Sequence, residues 1–242
     1  MLKKIFLMIT AVTGVFFTCN AAEKEIKVKD VSVGIEFVNV PEFESRVHKV
    51  FSAKSSSSSK WLMIRVEYTP ERQRISEYDL SNSKKSYSNN SLRKKNLFYA
   101  WADDVQLDVK VLMETGYQLK NREKVLFSGK TVFWSVRCDG EKHVALMFVP
   151  AKMIERYFAP IKFPKLGERN FEVVAELSAA GKSLAKGFYG VSGNSPAVQM
   201  RNFDRNAAKS IKVSGGVVSR ARSPWMVFAP DNFDLEKNIT LE

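Results

Sequence analysis

Beyond its amino-terminal stretch the chain is written in short runs where apolar and polar side chains alternate, separated by polar turns. Val31, Val33, Ile35 and Phe37 fall on one side of the run from Val28 to Val40 and Glu36 on the other, the period of two that defines a half-buried strand. Trp61 to Tyr68 predicts a strand that is central at its start and ends at Thr69-Pro70. From Val105 to Met113 the odd positions are apolar and Gln106, Asp108 and Lys110 are polar. Lys124 to Phe127 leads through Ser128-Gly129-Lys130 into Thr131 to Arg137, and Asp139-Gly140 then predicts a type I′ hairpin into a return strand, His143 to Val149. Pro150 to Phe158 is the one predicted helix, with proline at its first position, where a missing N–H is harmless. A second hairpin is predicted from Phe171–Leu177 and Ser183 to Val191 around Ala179-Ala180-Gly181-Lys182. Ser210 to Val213, Val217 to Arg222 and Trp225 to Phe228 complete the set, broken by Gly215-Gly216 and Pro224.

Eight or nine strands and one short helix make the chain mainly β. The pattern predicts a β-sandwich, since an α/β sheet would need a helix-length segment between successive strands. No repeat of fixed period is present. Residues 23–242 are expected to form one domain with two interruptions. Ser55 to Ser59 is a flexible loop by composition. Residues 71–96 are a basic, flexible insertion carrying Arg72, Arg74, Lys84, Lys85, Arg93, Lys94 and Lys95. Trp61, Trp101, Trp134 and Trp225 all lie in or beside strands, so core packing is expected of most of them. The alternative, a sugar-stacking platform, requires them to be exposed.

The first 22 residues read as a secretory signal: Lys3 and Lys4, an apolar stretch from Ile5 to Phe17, and small residues ending at Ala21-Ala22. The stretch is short of the about 20 apolar residues that a spanning helix needs. Lipidation at Cys19 is an alternative, in the poor context of Phe16-Phe17-Thr18. A prepilin-type leader would keep a long apolar helix on the exported chain, whereas this chain turns highly charged at Glu23. Export places the protein in the periplasm, outer envelope or cell surface.

Charge narrows the partners. The formal charge of +12 falls to +10 once Lys3 and Lys4 are removed, which favours anionic partners such as acidic glycan or lipid head groups. Export makes nucleic acid the poorest fit. Besides the 71–96 segment, Arg220 and Arg222 are expected on one strand face, suited to carboxylate or phosphate. A solvated face rather than a binding site is the expectation for either group, because edge-strand charges also block unwanted sheet pairing.

Candidate chemistry is sparse. Cys138 and His143 would lie on one face of the predicted hairpin, opposite or diagonal, and a thiolate beside an imidazole is how a cysteine nucleophile is activated. An exposed hairpin tip excludes little water, so an incidental pair is the expectation. His48 and His143 are the only histidines and neither has a ligand-spaced partner. Asp103-Asp104 marks a turn entering a strand rather than an acid–base pair across a cleft. Phosphate loops and nucleophile elbows are absent from the sequence. The pattern calls for no catalytic residue, cofactor or metal.

Four segments carry a resemblance: VKDVSVGIEFVNVPE, KWLMIRVEYTP, WADDVQLDVKVL and VALMFVPAKMIERYF. Together with the leader, the chain from about Val28 to Phe228 is similar to small pilus-like proteins with an immunoglobulin-like fold, encoded in type IV pilus-like gene clusters of Gram-negative gut bacteria. The resemblance implies an immunoglobulin-like sandwich in a non-enzymatic envelope or surface protein that works with other pilus-assembly components. It supplies no catalytic residues. Lack of a long amino-terminal helix on the exported chain sets it apart from a major pilin. The alternatives are a secreted binding module for acidic glycan or anionic lipid, and a Cys-dependent hydrolase.

Overall fold

The computed structural model describes residues 26–41, 60–73, 99–115, 124–158, 166–190, 195–226, 233–234 and 236. The leader, the serine run and all of 71–96 beyond Gln73 lie outside the described residues.

Among the described residues nine strands form two sheets. They are β1 (Val28–Val38), β2 (Trp61–Pro70), β3 (Trp101–Glu114), β4 (Lys124–Arg137), β5 (His143–Val149), β6 (Phe171–Ala179), β7 (Lys182–Tyr189), β8 (Ile211–Ser214) and β9 (Val218–Ser219). One sheet runs β1-β2-β5-β9 and the other β7-β6-β3-β4-β8. All neighbours are antiparallel except β4 and β8. The protein is therefore a mainly β sandwich. The α-helices among the described residues are α1 (Ala151–Tyr157) and α2 (Pro196–Ala208).

The period-two pattern maps directly onto the core. Leu62, Ile64, Val66 and Tyr68 of β2 face Val105, Leu107, Val109 and Val111 of β3 and Val173, Ala175 and Leu177 of β6 across the sandwich, all buried. β2 lies between β1 and β5, which explains its nearly unbroken apolar sequence. α1 closes one end, with Ala151 and Ile154 buried and Tyr157 edge-on to Phe127 at 5.8 Å. Pro150 is its N-cap, in extended conformation, rather than its first helical residue.

Four expectations are corrected. First, Asp139-Gly140 does not turn a hairpin: β4 and β5 belong to different sheets, so this connection carries the chain from one layer to the other. Gly140 has the expected positive φ of 79°, but Asp139 does not, whereas a type I′ turn needs both. The true turn of that kind joins β6 to β7, where Ala180 (φ 47°) and Gly181 (φ 75°) lie between the paired Ala179 and Lys182.

Second, a second helix exists. α2 lays Met200, Phe203 and Ala207 on the outer face of the five-stranded sheet, against Leu112, Leu126, Val174 and Phe188. Each of these interrupts the polar side of its strand, which is why that face accepts a helix there.

Third, Val217 to Arg222 is mostly not a strand. β9 is two residues long, and Arg220–Arg222 is a 3-10 turn. Trp225 and Met226 lie in a turn, and the rest of that expected strand lies outside the described residues.

Fourth, no tryptophan is in the core, whose large side chains are Tyr68, Phe127, Phe133 and Phe171. Trp61 and Trp225 pack on the outer side of the four-stranded sheet, Trp225 stacked on Phe148 at 4.4 Å. Trp101 and Trp134 are each 58% exposed.

Candidate functional site

The exposure of Trp101 follows from a local fault in β3 and β4, whereas Trp134 faces out by the ordinary alternation that buries Phe127, Thr131 and Phe133. Asp103 pairs with Ser135 and Val105 with Phe133, which puts Asp104 opposite Trp134. Asp104 has φ 54°, a left-handed backbone that aspartate tolerates better than most residues. Across it the inward set changes from Ala102 to Val105 on β3, and from Val136 to Phe133 on β4. Beyond the switch Trp101 is turned out, on the face where Trp134 already stands. Asp103-Asp104 thus lies inside a strand rather than in a turn leading to it.

Beside this aromatic pair, an open groove of ≈ 350 Å³ runs across the outer face of β3 and β6 to the Ala180-Gly181 turn. Asp104, Gln106, Asp108, Glu176, Ser178 and Ser183 line it. Burial opposes the charge on Glu176, but hydrogen bonds from Ser183 and Lys186, with the charges of Lys186 and Lys110, bring it below the ordinary carboxylate range. Lys186 reaches Glu176 at 3.1 Å. At its other end this face is roofed by α2, so among the described residues the groove and the tryptophans are its uncovered part.

The Cys138–His143 pair dissolves. Cys138 is fully buried, and its thiol is pushed up by burial and by the charge of Asp139, the reverse of an activated nucleophile. His143 belongs to another group. Nδ1 meets the Asp234 carboxylate at 3.0 Å, Nε2 meets Asp139 Oδ1 at 3.3 Å, and the ring stacks on Tyr68 at 5.6 Å. Burial disfavours its charge, yet the bonds and charges of Asp234 and then Asp139 outweigh that and raise it above the ordinary histidine value. Tyr68 donates to Asp234 Oδ2 at 2.5 Å, and burial together with that carboxylate pushes the phenol far up. Sequence spacing could not reveal this cluster, because Asp234 is 91 residues from His143. No group of three or more His, Cys, Asp and Glu side chains among the described residues is arranged to hold a metal ion.

Of the sequence-predicted basic residues, the three described ones, Arg72, Arg220 and Arg222, sit in separate surroundings. Arg74, Lys84, Lys85, Arg93, Lys94 and Lys95 lie outside the described residues. Arg72 is engaged within the fold. Its Nε donates to the Asp139 carbonyl at 2.8 Å, its guanidinium pairs with Glu141 at 3.6 Å, and it lies 5.7 Å over the Tyr99 ring. Arg220 is buried, not on a strand face: its guanidinium donates to the Met226 carbonyl at 2.9 Å and covers the Phe233 ring at 4.7 Å. Arg222 is exposed on the same 3-10 turn. Losing the strand separates the two guanidinium groups.

No family model matches this sequence, and no curated protein matches it. Among solved structures, a crystal structure of a protein from Akkermansia muciniphila is similar in fold. It has a TM-score of 0.58 at 11% identity and covers 89% of this chain and 95% of its own. At that identity the likeness concerns the fold. Among the described residues no helix is long and apolar enough to cross a membrane.

Proposed function

We propose that the protein is an exported, non-catalytic structural or interaction component of a type IV pilus-like envelope or surface assembly of a Gram-negative bacterium. The observation that carries the interaction role is the solvent-facing pair Trp101 and Trp134 on an uncovered sheet face. Large exposed aromatics mark contact sites, and tryptophan is the residue most enriched among energetic anchors of interfaces. The sandwich likeness to a gut-bacterial protein supports the setting, and the buried, disfavoured thiolate of Cys138 speaks against a cysteine hydrolase. Partners on this reading are other envelope or pilus-assembly proteins.

The test is affinity purification of the tagged protein from crosslinked envelope fractions, comparing wild type with Trp101→Ala/Trp134→Ala. Assembly components that are captured by wild type and lost at least fivefold in the double variant are expected. Capture that is indifferent to both tryptophans would remove them as the contact site, and turnover of glycan or peptide by the purified chain would remove the non-catalytic reading. Both side chains are exposed, so the variant should unfold within about 0.5 kcal/mol of wild type.

The groove beside Trp134 supports a second reading, a saccharide-binding module. An exposed indole stacks on a sugar ring, while Gln106, Ser178 and Ser183 offer hydrogen bonds. Asp104 and Asp108 disfavour acidic glycan and anionic lipid here, and Glu176 is already paired with Lys186, so a neutral sugar fits the groove best. Titration with neutral glucose oligosaccharides separates the readings. Binding that is lost in Trp134→Ala and insensitive to salt supports the module, and unchanged indole fluorescence at millimolar sugar sinks it.

A further inference from the structure

His143 has a carboxylate on each ring nitrogen, at 3.0 Å on Nδ1 and 3.3 Å on Nε2. A neutral imidazole carries one N–H and one lone pair, so it can satisfy only one of two acceptors; only the imidazolium donates to both. The geometry therefore specifies the protonation state. Asp139 comes from the β4–β5 connection, Asp234 from the carboxy-terminal segment and Tyr68 from β2. The other charges nearby are Arg137, 3.8 Å from Asp139, and Arg72, which donates to the Asp139 carbonyl.

Asp234 and Glu236 together tie the two sheets. Asp234 is held at β5 and β2 of one sheet, by His143 and Tyr68. Two residues on, Glu236 bridges Phe133 of β4 in the other sheet and accepts from Thr131 Oγ1 at 3.2 Å. Asp234 and His143 are each only 13% exposed. We propose that Asp234 and Glu236 form a proton-operated latch, fastened when the His143 imidazolium links Asp234 to Asp139 and slackened when that proton leaves.

The sign follows from the stacking order of the groups. Deprotonation removes the one cation between two carboxylates and leaves either Asp139 or Asp234 facing a lone pair. The charge-assisted bond that survives falls to a neutral one, of roughly half the strength. Because the folded His143 value is raised above 6.5, fastening is complete below that pH and is lost as pH rises through the raised value. Tyr68 still donates to Asp234 at high pH, so the latch slackens rather than detaches.

Hydrogen–deuterium exchange on the full exported chain tests this, with protection at the peptide spanning residues 233–236 corrected for intrinsic exchange at about pH 6 and about pH 9. Wild type is expected to lose about tenfold in protection at the higher pH, while a peptide from β3 stays constant. His143→Gln, which stays neutral, should give the slack value at both. Asp234→Asn, a milder change, should also be slack at both. A wild-type fall under threefold overturns the proposal, as does an equal fall in His143→Gln or wild-type protection at about pH 6 in Asp234→Asn.

Discussion

Gly129 and Val217 touch so closely that a β-carbon on the glycine would lie 2.0 Å from the valine carbonyl oxygen. The Val217 N–H donates to the Ser128 carbonyl at 3.3 Å. Here the chain leaves β8 in the five-stranded sheet and crosses to β9 in the four-stranded one, passing directly over β4. Only a hydrogen fits between them. The seam is thereby closed on one side of the sandwich, as it is on the other where Gly187 of β7 admits Val31 and Val33 of β1.

Gly129→Ala is therefore expected to destabilise the fold by about 3 kcal/mol, the upper range of overpacking, because the obstruction is backbone and cannot rotate away. Urea unfolding should show the loss as a lower midpoint with an unchanged slope. Gly34, which has open space around its β-carbon position, is the control, and Gly34→Ala should change the midpoint little.

Phe203→Ala should cost about 3 kcal/mol, because Phe203 is the buried side chain that fixes α2 to Leu112, Leu126 and Val174. α2 supplies few other apolar anchors, so loss of helical circular dichroism should accompany the stability change. A wild-type helical signal at unchanged stability would mean that α2 is held by something else.

How much of this was legible depends on whether burial is local. Alternating strands could be read from sequence because each buries one face, and the pattern at Val31, Val33, Ile35 and Phe37 states which. α2 was hidden because its apolar contacts reduce to Met200, Phe203 and Ala207, a thin stripe in a polar stretch. The complementary sign was present in Leu112, Leu126 and Val174, apolar residues on otherwise polar strand faces, but each looks like a single exception until β3, β4 and β6 are set side by side. Asp139-Gly140 has the same turn chemistry whether the chain folds back within a sheet or crosses between sheets; only pairing decides. The outward turn of Trp101 hinges on the backbone of Asp104, and the His143–Asp234 contact joins positions 91 residues apart that no spacing rule connects.

Cys138 should be inert in the folded protein. In a Cys19→Ser chain, a disulfide-exchange reagent at neutral pH is expected to modify Cys138 at least a hundredfold more slowly than in the urea-unfolded chain. Its folded value lies above 9.0, so the folded state holds the proton longer than the unfolded state. This contribution to stability is present below about pH 9 and is lost as pH rises further. Fast labelling in the native state would place the thiol at the surface.

Ala180 offers the opposite experiment, a substitution that should stabilise. It sits at φ 47° in the turn between β6 and β7, a conformation that costs an L-residue with a β-carbon about 1–2 kcal/mol. Glycine removes that strain but gives back part of the gain through greater freedom in the unfolded chain. The net expectation for Ala180→Gly is a gain of about 0.5 kcal/mol, seen as a higher urea midpoint. Gly181→Ala, which places a β-carbon at φ 75°, should lose about 1 kcal/mol. Opposite signs at adjacent positions would reflect backbone strain, because the Gly181 β-carbon position meets no neighbouring atom. If both substitutions destabilise, the turn is not the two-residue, doubly left-handed one described, and the register that places Ser178 and Ser183 at the groove must shift with it.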